Sequence, residues 1–388
     1  MTSIFSREYF PSIAASYFLV LSLGFPSDSW ALNYVAQRLA TLGGASSTGT
    51  AINSSGQVVG TSYLADNATQ RAFITGPNGH NIRDLGTLGG DQSFAYGVND
   101  FGQVAGSAMQ GLFQVRAFLT GPNGDPMANL GVFGEGNASR ATSVNVSGQA
   151  AGDSLTEIGI NRRAFITAPA FGGLRDIGDL GPALGLAGSR VFATGINAGG
   201  QVVGYAAVTL PRIGPGITRL TQHAFITGPN GMGIRNLGPA DGPVSYAYGI
   251  NDSGQVVGSS NGVAFRTGPN GTNVEALGTL GGQGSEALSI NRQGWVVGRS
   301  LTATGNWHAF AYGIGGSFIH DLNSIVTLGS GDYLTSATGI NDSGAIVVNS
   351  ALGTAFLLSP IPEPATSLYI IMGGGFLYFM KRKTRRFG

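Results

Sequence analysis

The sequence predicts an all-β fold: a seven-bladed β-propeller of four-stranded blades, closed by the N-terminal strand and followed by a C-terminal hydrophobic helix. The chain of 388 residues contains 65 glycines and 42% apolar residues. This composition disfavours helices, because glycine costs a helix about 1 kcal/mol against alanine. In addition, a turn motif, Asn-x-x-Gly, recurs seven times, and an Ala-Phe pair follows each occurrence. Repetition on this scale indicates an array of similar units.

The seven turn motifs are separated by 40 to 54 residues. They begin at Asn53, Asn99, Asn145, Asn197, Asn251, Asn291 and Asn341, which we call the anchor asparagines. A four-stranded propeller blade occupies about 40–50 residues. An open β-solenoid is the alternative architecture, but its repeat is usually nearer 20–30 residues.

One repeat contains four short segments rich in β-branched or aromatic residues. They are Ala247–Asn251, Gln255–Ser260, Val263–Thr267 and Asn273–Leu280. Asn-x-x-Gly favours a type I turn whose glycine takes a positive φ. The motif Gly-Pro-Asn-Gly, as in Gly268–Gly271, places proline where a φ near −65° is needed. The repeat therefore predicts two tight turns at one end of each blade.

The two ends of the array predict how the ring closes. The array begins with an isolated fourth strand in Tyr34–Gly44 and finishes after a third strand in Thr354–Ser359. Together these two pieces would complete one blade, and closure removes exposed sheet edges. The first strand of each repeat carries small residues at alternate positions, as at Ala247 and Gly249. We expect such residues where strands crowd around a central axis.

The N-terminal residues 1–31 are predicted to be a signal peptide. Arg7 precedes an apolar stretch, Ile13–Phe25, and small residues at Ser29 and Ala31 suit cleavage after Ala31. A retained membrane helix is the alternative, although the apolar run is short for a span of about 20 residues. The propeller is then predicted over residues 32–359.

Residues 360–388 have three parts: Pro362-Glu363-Pro364, an apolar stretch from Ala365 to Met380, and a basic tail. The tail consists of Lys381, Arg382, Lys383, Arg385 and Arg386. As a helix the apolar stretch would rise about 24 Å, against about 30 Å of hydrocarbon, so it spans only as a short transmembrane helix. The tail would stay cytoplasmic by the positive-inside rule.

This order of parts resembles the PEP-CTERM sorting signal of Gram-negative bacteria. The resemblance implies processing by an exosortase-type enzyme at the inner membrane, where the protein is a membrane-anchored intermediate. Delivery to the cell surface or extracellular matrix would follow. A permanently membrane-tethered scaffold is the alternative.

The repeats also resemble a known family. "HAFITGPNG" at His223–Gly231, "LGTLGG" at Leu85–Gly90 and "GINDSGQVVGSS" at Gly249–Ser260 are similar to the extracellular HAF repeat. The likeness covers nearly all of residues 34–359, and the third and seventh repeats diverge most. It implies an extracellular location and no particular catalytic activity.

Composition and charge argue against several classes of function. The chain has no cysteine, and its formal charge of +1 includes the five basic tail residues, which leaves −4 on the rest. A mildly acidic body is a poor partner for nucleic acid. Two of the four histidines, His223 and His308, occupy a position that carries Arg, Val or Thr in other repeats. We therefore expect no catalytic residue and no cofactor.

Three acidic residues follow an anchor asparagine directly: Asp100, Asp252 and Asp342. Calcium needs six to eight oxygen ligands, and the matching positions elsewhere include Val146 and Arg292, which supply none. We therefore expect these three carboxylates to hydrogen-bond to the backbone of turns and not to bind a metal ion.

Any ligand is expected on the face of the ring that carries the variable loops, because binding residues concentrate on loops over a rigid scaffold. The candidate loop residues are Tyr63, Tyr205, Arg212, Arg219 and Trp307. An aromatic side chain there could stack on a sugar. The sequence thus favours a non-enzymatic surface protein, structural or binding, associated with exopolysaccharide. A carbohydrate-active enzyme on the same scaffold is the alternative.

Overall fold

The computed structural model describes residues 33–157, 161–169, 172–184, 188–210, 219–238, 244–313, 318–329 and 331–361. The predicted signal peptide, the sorting motif, the hydrophobic helix and the basic tail lie outside these residues. Within the described residues, no helix combines the length and the hydropathy that crossing a membrane requires.

The described chain forms 28 strands in seven four-stranded antiparallel sheets, which confirms the predicted seven-bladed β-propeller. Strand β1 comprises Tyr34–Arg38. Blade 1 contains β2 (Gly43–Ile52), β3 (Val58–Leu64), β4 (Gln70–Ile74) and β5 (Arg83–Asp84). Blade 2 contains β6 (Ser93–Val98), β7 (Val104–Gln110), β8 (Gln114–Thr120) and β9 (Met127–Gly131). Blade 3 contains β10 (Ser139–Val144), β11 (Ala150–Leu155), β12 (Arg162–Thr167) and β13 (Leu174–Asp176).

The remaining blades repeat this order. Blade 4 contains β14 (Arg190–Ile196), β15 (Val202–Leu210), β16 (Arg219–Ile226) and β17 (Arg235–Asn236). Blade 5 contains β18 (Ser245–Ile250), β19 (Val256–Ser260), β20 (Val263–Arg266) and β21 (Glu275–Gly278). Blade 6 contains β22 (Gly281–Ile290), β23 (Val296–Thr302), β24 (Trp307–Tyr312) and β25 (Ile319–Asp321). Blade 7 contains β26 (Leu334–Ile340), β27 (Ile346–Ser350) and β28 (Ala355–Pro360), and β1 is its outermost strand.

Strand β1 pairs antiparallel with β28, with Tyr34 opposite Pro360 and Arg38 opposite Phe356. The segment expected as one strand, Tyr34–Gly44, is divided between two blades, because Gly43 and Gly44 already belong to β2. Leu39 follows β1 and is 1% exposed, in a cluster with Val347 and Leu357 of blade 7. The N-terminal residues of the propeller therefore contact the last repeat along its full outer edge.

Glycine and phenylalanine share the space inside each blade. In six blades a glycine of the second strand lies opposite the phenylalanine of the Ala-Phe pair, as Gly60 lies opposite Phe73. A Cβ added at Gly60 would lie 2.0 Å from the Thr48 carbonyl oxygen and 2.9 Å from the Phe73 ring. In blade 7 the glycine is replaced by Val348, and its partner Phe356 is only half-buried. The glycine thus makes room for a fully buried ring.

Candidate functional site

The turns divide the ring into two faces. In blade 1 the Asn78 amide donates to Ser55 O and the Gly79 amide donates to Gly56 O, so the Gly-Pro-Asn-Gly turn lies against the Asn-x-x-Gly turn. We call the end of the ring with these turns the Asn face. Because the strands are antiparallel, the hairpins between second and third strands lie at the opposite end, which we call the loop face.

The Asn face is tied together by a closed belt of hydrogen bonds. The Asn53 side chain donates from Nδ2 to Asn99 O at 3.0 Å, and the Asn341 side chain donates to Asn53 O at 3.1 Å. The other five anchor asparagines make the same bond to the next blade at 2.9–3.2 Å. The glycine of every Asn-x-x-Gly turn has a positive φ, as predicted. The sequence indicated the turn but gave no sign of the interblade bond.

The three acidic residues on the Asn face also bind the neighbouring turn. Asp100, Asp252 and Asp342 each accept a hydrogen bond from a backbone amide of the preceding blade at 2.9–3.0 Å. Arg292 lies 3.1 Å from Asp252 and 3.5 Å from Asp342. These carboxylates therefore stabilise the turns of the Asn face. This agrees with the expectation that they hydrogen-bond to turns.

A β-bulge interrupts the innermost strand of every blade, three residues before each anchor asparagine. A bulge re-aims its side chain, and the bulged residues line an axial channel of about 240 Å³. They are Thr50, Tyr96, Thr142, Thr194, Tyr248, Leu288 and Thr338. The Thr50 hydroxyl lies 2.9 Å from Ala95 O of the next blade and 3.1 Å from Val59 O of its own blade, so its single hydrogen can link the two blades. Burial raises the pKa of Tyr248 to about 12.

The loop face carries a cluster of aromatic side chains that we call the aromatic platform: Phe192, Tyr205 and Tyr246. Phe192 and Tyr205 are stacked, with ring centroids 4.7 Å apart and planes at 13°. Tyr246 of the next blade meets Tyr205 edge-on at 5.0 Å. Phe192 lies five residues before Asn197, about 17 Å along the strand from the Asn face. All three rings are half-buried, so each presents part of its surface to solvent.

Two arginines share one buried carboxylate beside the platform. Asp153 is fully buried, and its Oδ1 accepts a hydrogen bond from Arg140 Nε at 2.7 Å. Its other oxygen accepts from Arg162 Nη1. The Arg162 guanidinium lies 5.7 Å from the centre of the Phe192 ring. The cluster therefore carries two guanidinium charges against one carboxylate, directly next to the aromatic surface.

The platform and the cluster influence each other's protonation. Burial raises the pKa of Tyr205, and the Arg140 charge acts against that rise. Burial lowers the pKa of Arg140, but the Asp153 carboxylate more than offsets this, so the net shift is upward. Both tyrosine and arginine thus keep their protons at neutral pH, and the site offers hydrogen-bond donors.

The structure places the predicted site residues on three different blades. Tyr63, Tyr205 and Trp307 lie in β3, β15 and β24, which corrects the expectation that they are loop residues. In blade 4 the pairing of β15 with β16 extends from Tyr205 to Leu210, which lies opposite Arg219, so both residues near the ends of this variable segment belong to strands. Arg212 lies outside the described residues. Of the five candidates, only Tyr205 belongs to the aromatic platform.

Sequence reasoning missed the other members of this site: Phe192, Tyr246, Arg140, Asp153 and Arg162. A signal was present, since Arg140, Phe192 and Tyr246 all lie five residues before an anchor asparagine. A comparison of this position across the seven repeats would have pointed to these three residues, but not to Asp153 or Arg162.

The histidines before the Ala-Phe pairs make local contacts. His308 Nδ1 lies 2.7 Å from Asp321 Oδ2 in the same blade. His223 Nε2 lies 2.8 Å from the Thr221 hydroxyl, and burial lowers the pKa of His223. Both contacts lie within one blade and favour the structural interpretation.

No family model matches the sequence, and no curated protein matches it. Several solved structures share the fold. "YCF48 bound to D1 peptide" is 11% identical with a TM-score of 0.53, covering 84% of this chain and 97% of that chain. A catalytically inactive virginiamycin B lyase from Staphylococcus aureus with quinupristin is 12% identical with a TM-score of 0.53, covering 85% and 100%.

Acylaminoacyl peptidase from Pyrococcus horikoshii is 11% identical with a TM-score of 0.50. The match covers 79% of this chain and 50% of the peptidase, so the chain spans about half the length of that enzyme. At these identities the three likenesses show the propeller fold alone.

Proposed function

We propose that this protein is an exported, non-enzymatic protein of the cell surface or extracellular matrix that binds polysaccharide on its loop face. The observation that carries the proposal is the aromatic platform beside the Arg140–Asp153–Arg162 cluster. Aromatic rings offer large, rigid contact surfaces, and a few polar groups next to them fix a ligand's orientation. A sugar ring combines apolar C–H faces with hydroxyl groups and fits such a surface.

The charge of the cluster favours a glycan with acidic groups. Arg140 and Arg162 share the single carboxylate of Asp153, so one guanidinium charge is uncompensated within the cluster. Arginine binds carboxylates with two parallel hydrogen bonds, which adds specificity. The Arg140 side chain is 40% exposed and is the member that an incoming carboxylate reaches most readily.

Substitution of the platform tests this function. We expect Phe192→Ala and Tyr205→Ala each to weaken binding of an acidic polysaccharide such as polygalacturonate about tenfold, because a stacked aromatic contact of about 1.5 kcal/mol is lost. The measurement is affinity electrophoresis of the full chain, supported by a glycan array. Tyr63→Ala is the matched control, a tyrosine of the same strand type on blade 1.

The control variant should bind like the wild-type protein, and all variants should keep the wild-type unfolding temperature within a few degrees. Binding that is unchanged in both platform variants, or no binding of any glycan by the wild-type protein, would refute the proposed function.

Export and sorting form a separate part of the proposal. Residues 1–31 would direct export, and Pro362, Glu363 and Pro364 with the basic tail would direct exosortase-type processing. Deleting Pro362–Pro364 should keep the protein in the membrane fraction at its unprocessed size, as seen by blotting cell fractions. Unchanged size and location would instead favour the permanently tethered scaffold.

The carbohydrate-active alternative requires two carboxylates about 5–10 Å apart at one mouth. The buried Asp153 is bound by Arg140 and Arg162 of its own blade, and Glu286 is bound by Arg299 of its own blade. This arrangement favours binding over hydrolysis. Release of reducing ends from a bound glycan, abolished by Asp153→Asn, would reverse that preference.

We further propose that the pairing of β1 with β28 is what closes the ring in the mature protein. The pairing joins Tyr34–Arg38 to Ala355–Pro360, the two ends of the described chain. It acts together with the hydrogen bonds from Asn341 and Thr338 of blade 7 to the backbone of blade 1.

A further inference from the structure

A second concave site lies on the loop face between blades 6 and 7, well away from the aromatic platform in sequence and in blade position. It is a groove of about 440 Å³, within the range of small-molecule sites. We call it the Trp307 groove. Its lining includes Arg299, Asn306, Trp307, Tyr333, Thr335 and Ser336.

The wall from blade 6 presents a tryptophan in a fixed orientation. The Arg299 guanidinium lies 4.7 Å from the centre of the Trp307 ring. Arg299 is itself held by Glu286, whose Oε2 accepts a hydrogen bond from Arg299 Nε at 2.8 Å. A cation beside an indole ring is attractive and restricts its motion. Trp307 is half-buried and keeps part of its ring surface open to the groove.

The wall from blade 7 is held by backbone contacts. The Tyr333 carbonyl accepts a hydrogen bond from the Ala351 amide at 2.9 Å. Asp332 accepts one from the Leu352 amide at 3.1 Å. The Tyr333 ring lies 5.3 Å from the His308 ring, and His308 contacts Asp321. Tyr333 is therefore fixed opposite Trp307 before any ligand arrives, which lowers the entropic cost of binding.

The charges of this groove differ from those of the Arg140–Asp153–Arg162 cluster. Arg299 is matched by Glu286, one acid to one base, and the remaining lining groups are amides, hydroxyls and aromatic rings. Balanced charge gives no advantage to an acidic ligand. Two aromatic walls with Asn306, Thr335 and Ser336 between them suit a flat, uncharged molecule with many hydroxyl groups.

We infer that the Trp307 groove is a binding site for one or two residues of a neutral sugar. The site stands on its own contacts and does not require the aromatic platform. Where both sites are filled by one polysaccharide chain, binding at the first raises the local concentration at the second, which strengthens attachment without new contacts.

Fluorescence of Trp307 provides a direct test. The chain has three tryptophans, so the full chain with Trp30→Phe and Trp295→Phe retains Trp307 alone. We expect a saturable change in its emission on titration with cellopentaose, maltopentaose or mannopentaose. Concentrations up to about 20 mM cover the millimolar affinity of a weak single site.

A further substitution, Tyr333→Ala, shows whether the change in Trp307 emission comes from the groove. Tyr333→Ala, which truncates the opposite wall, should weaken the binding at least tenfold, whereas Tyr63→Ala should leave it unchanged. Phe192→Ala should also leave it unchanged, so failure of this inference is distinguishable from failure of the proposed function. No change in emission with any of the three sugars, or a change that Tyr333→Ala does not affect, would overturn the inference.

Discussion

Asn145 shows what a single anchor asparagine contributes. Its Nδ2 donates to Gln149 Oε1 at 3.0 Å and to Asn197 O of the next blade at 3.1 Å. Its Oδ1 accepts from the amides of Ser147 and Gln149. The side chain is 4% exposed, so water cannot replace these partners. Both N–H groups and the oxygen of this side-chain amide are thus used, in three bonds within the turn and one bond between blades.

We predict that Asn145→Ala lowers the free energy of unfolding by about 2–4 kcal/mol, because it leaves buried partners unpaired in two blades. Asn129→Ala is the control, since that exposed side chain accepts a bond from the Gly131 amide and donates one to Gln110 Oε1, both within its own blade, and should cost about 1 kcal/mol or less. Urea unfolding followed by circular dichroism measures both. Equal losses of unfolding free energy in the two variants would show that the interblade belt does not add to stability.

The contribution of Glu275 to the stability of the fold depends on pH. The hydrogen bond from the Tyr312 hydroxyl, followed by the bond from Arg266, holds the pKa of Glu275 below its ordinary value of 4.5, although partial burial acts the other way. Because the folded-state pKa is the lower one, the stabilisation is present above pH 4.5 and is lost as the pH falls through the folded-state value.

We therefore expect Glu275→Gln to destabilise the protein by about 1 kcal/mol at neutral pH, a charged hydrogen bond discounted for screening at a half-exposed carboxylate. The difference from wild type should shrink as the pH is lowered from neutral to below the ordinary value of 4.5. Thermal unfolding at both pH values measures it, with Glu157→Gln as an exposed control. A difference that persists unchanged in acid would contradict this linkage.

At the scale of the element, the outermost strand is very short in two of the blades. Strands β5 and β17 have only two residues each, whereas β1 has five. Short outer strands limit the exposed edge available for pairing with another chain. The longer β1 is different because it connects the two ends of the array. Its pairing is therefore expected to matter more to stability than that of β5 or β17.

A cross-link tests the role of β1. Val35 lies opposite Ser359 in the register, and the chain has no native cysteine. We expect the Val35→Cys, Ser359→Cys double variant, once oxidised, to be more stable than its reduced form by about 3 kcal/mol, because the link constrains a very long loop of the unfolded chain. Calorimetry with and without reductant measures the difference. If the oxidised and reduced forms unfold at one temperature, ring closure does not limit stability.

At the scale of the whole molecule, the two faces differ in how firmly they are held. The Asn face is joined by the belt of seven interblade bonds, while the loop face carries exposed hairpin tips such as Leu112 and Phe113, 74% and 86% exposed. Few contacts and exposed backbone bonds characterise segments that open easily. A rigid scaffold with a more mobile binding face is the usual arrangement for recognition.

Hydrogen exchange should show this asymmetry. We predict that the turn amides of Gly56, Gly148 and Gly254 exchange at least about a hundredfold more slowly than the amides of Gln110–Gln114. Mass spectrometry of peptides from both faces measures the rates. Uniform exchange over the two faces would contradict the assignment of the Asn face as the rigid end.

The sequence alone determined the number of blades, the strand order and the tight turns. Each follows from local patterns that recur in the same order in every repeat. A glycine permits a positive φ, a proline fixes its own φ, and alternation of apolar and polar residues favours a strand. It also placed Tyr205 among the candidate binding residues, since an aromatic residue next to a length-variable segment is visible in one repeat.

Only the tertiary structure decided which residues meet across blades. Arg140 contacts Asp153 within blade 3, yet Arg162 of that blade reaches Phe192 of blade 4, and Tyr205 reaches Tyr246 of blade 5. These partners are separated by 13 to 41 positions in sequence. Their proximity depends on the angle between adjacent sheets and on the bulge of each inner strand. Those are properties of the closed ring, and no local pattern encodes them.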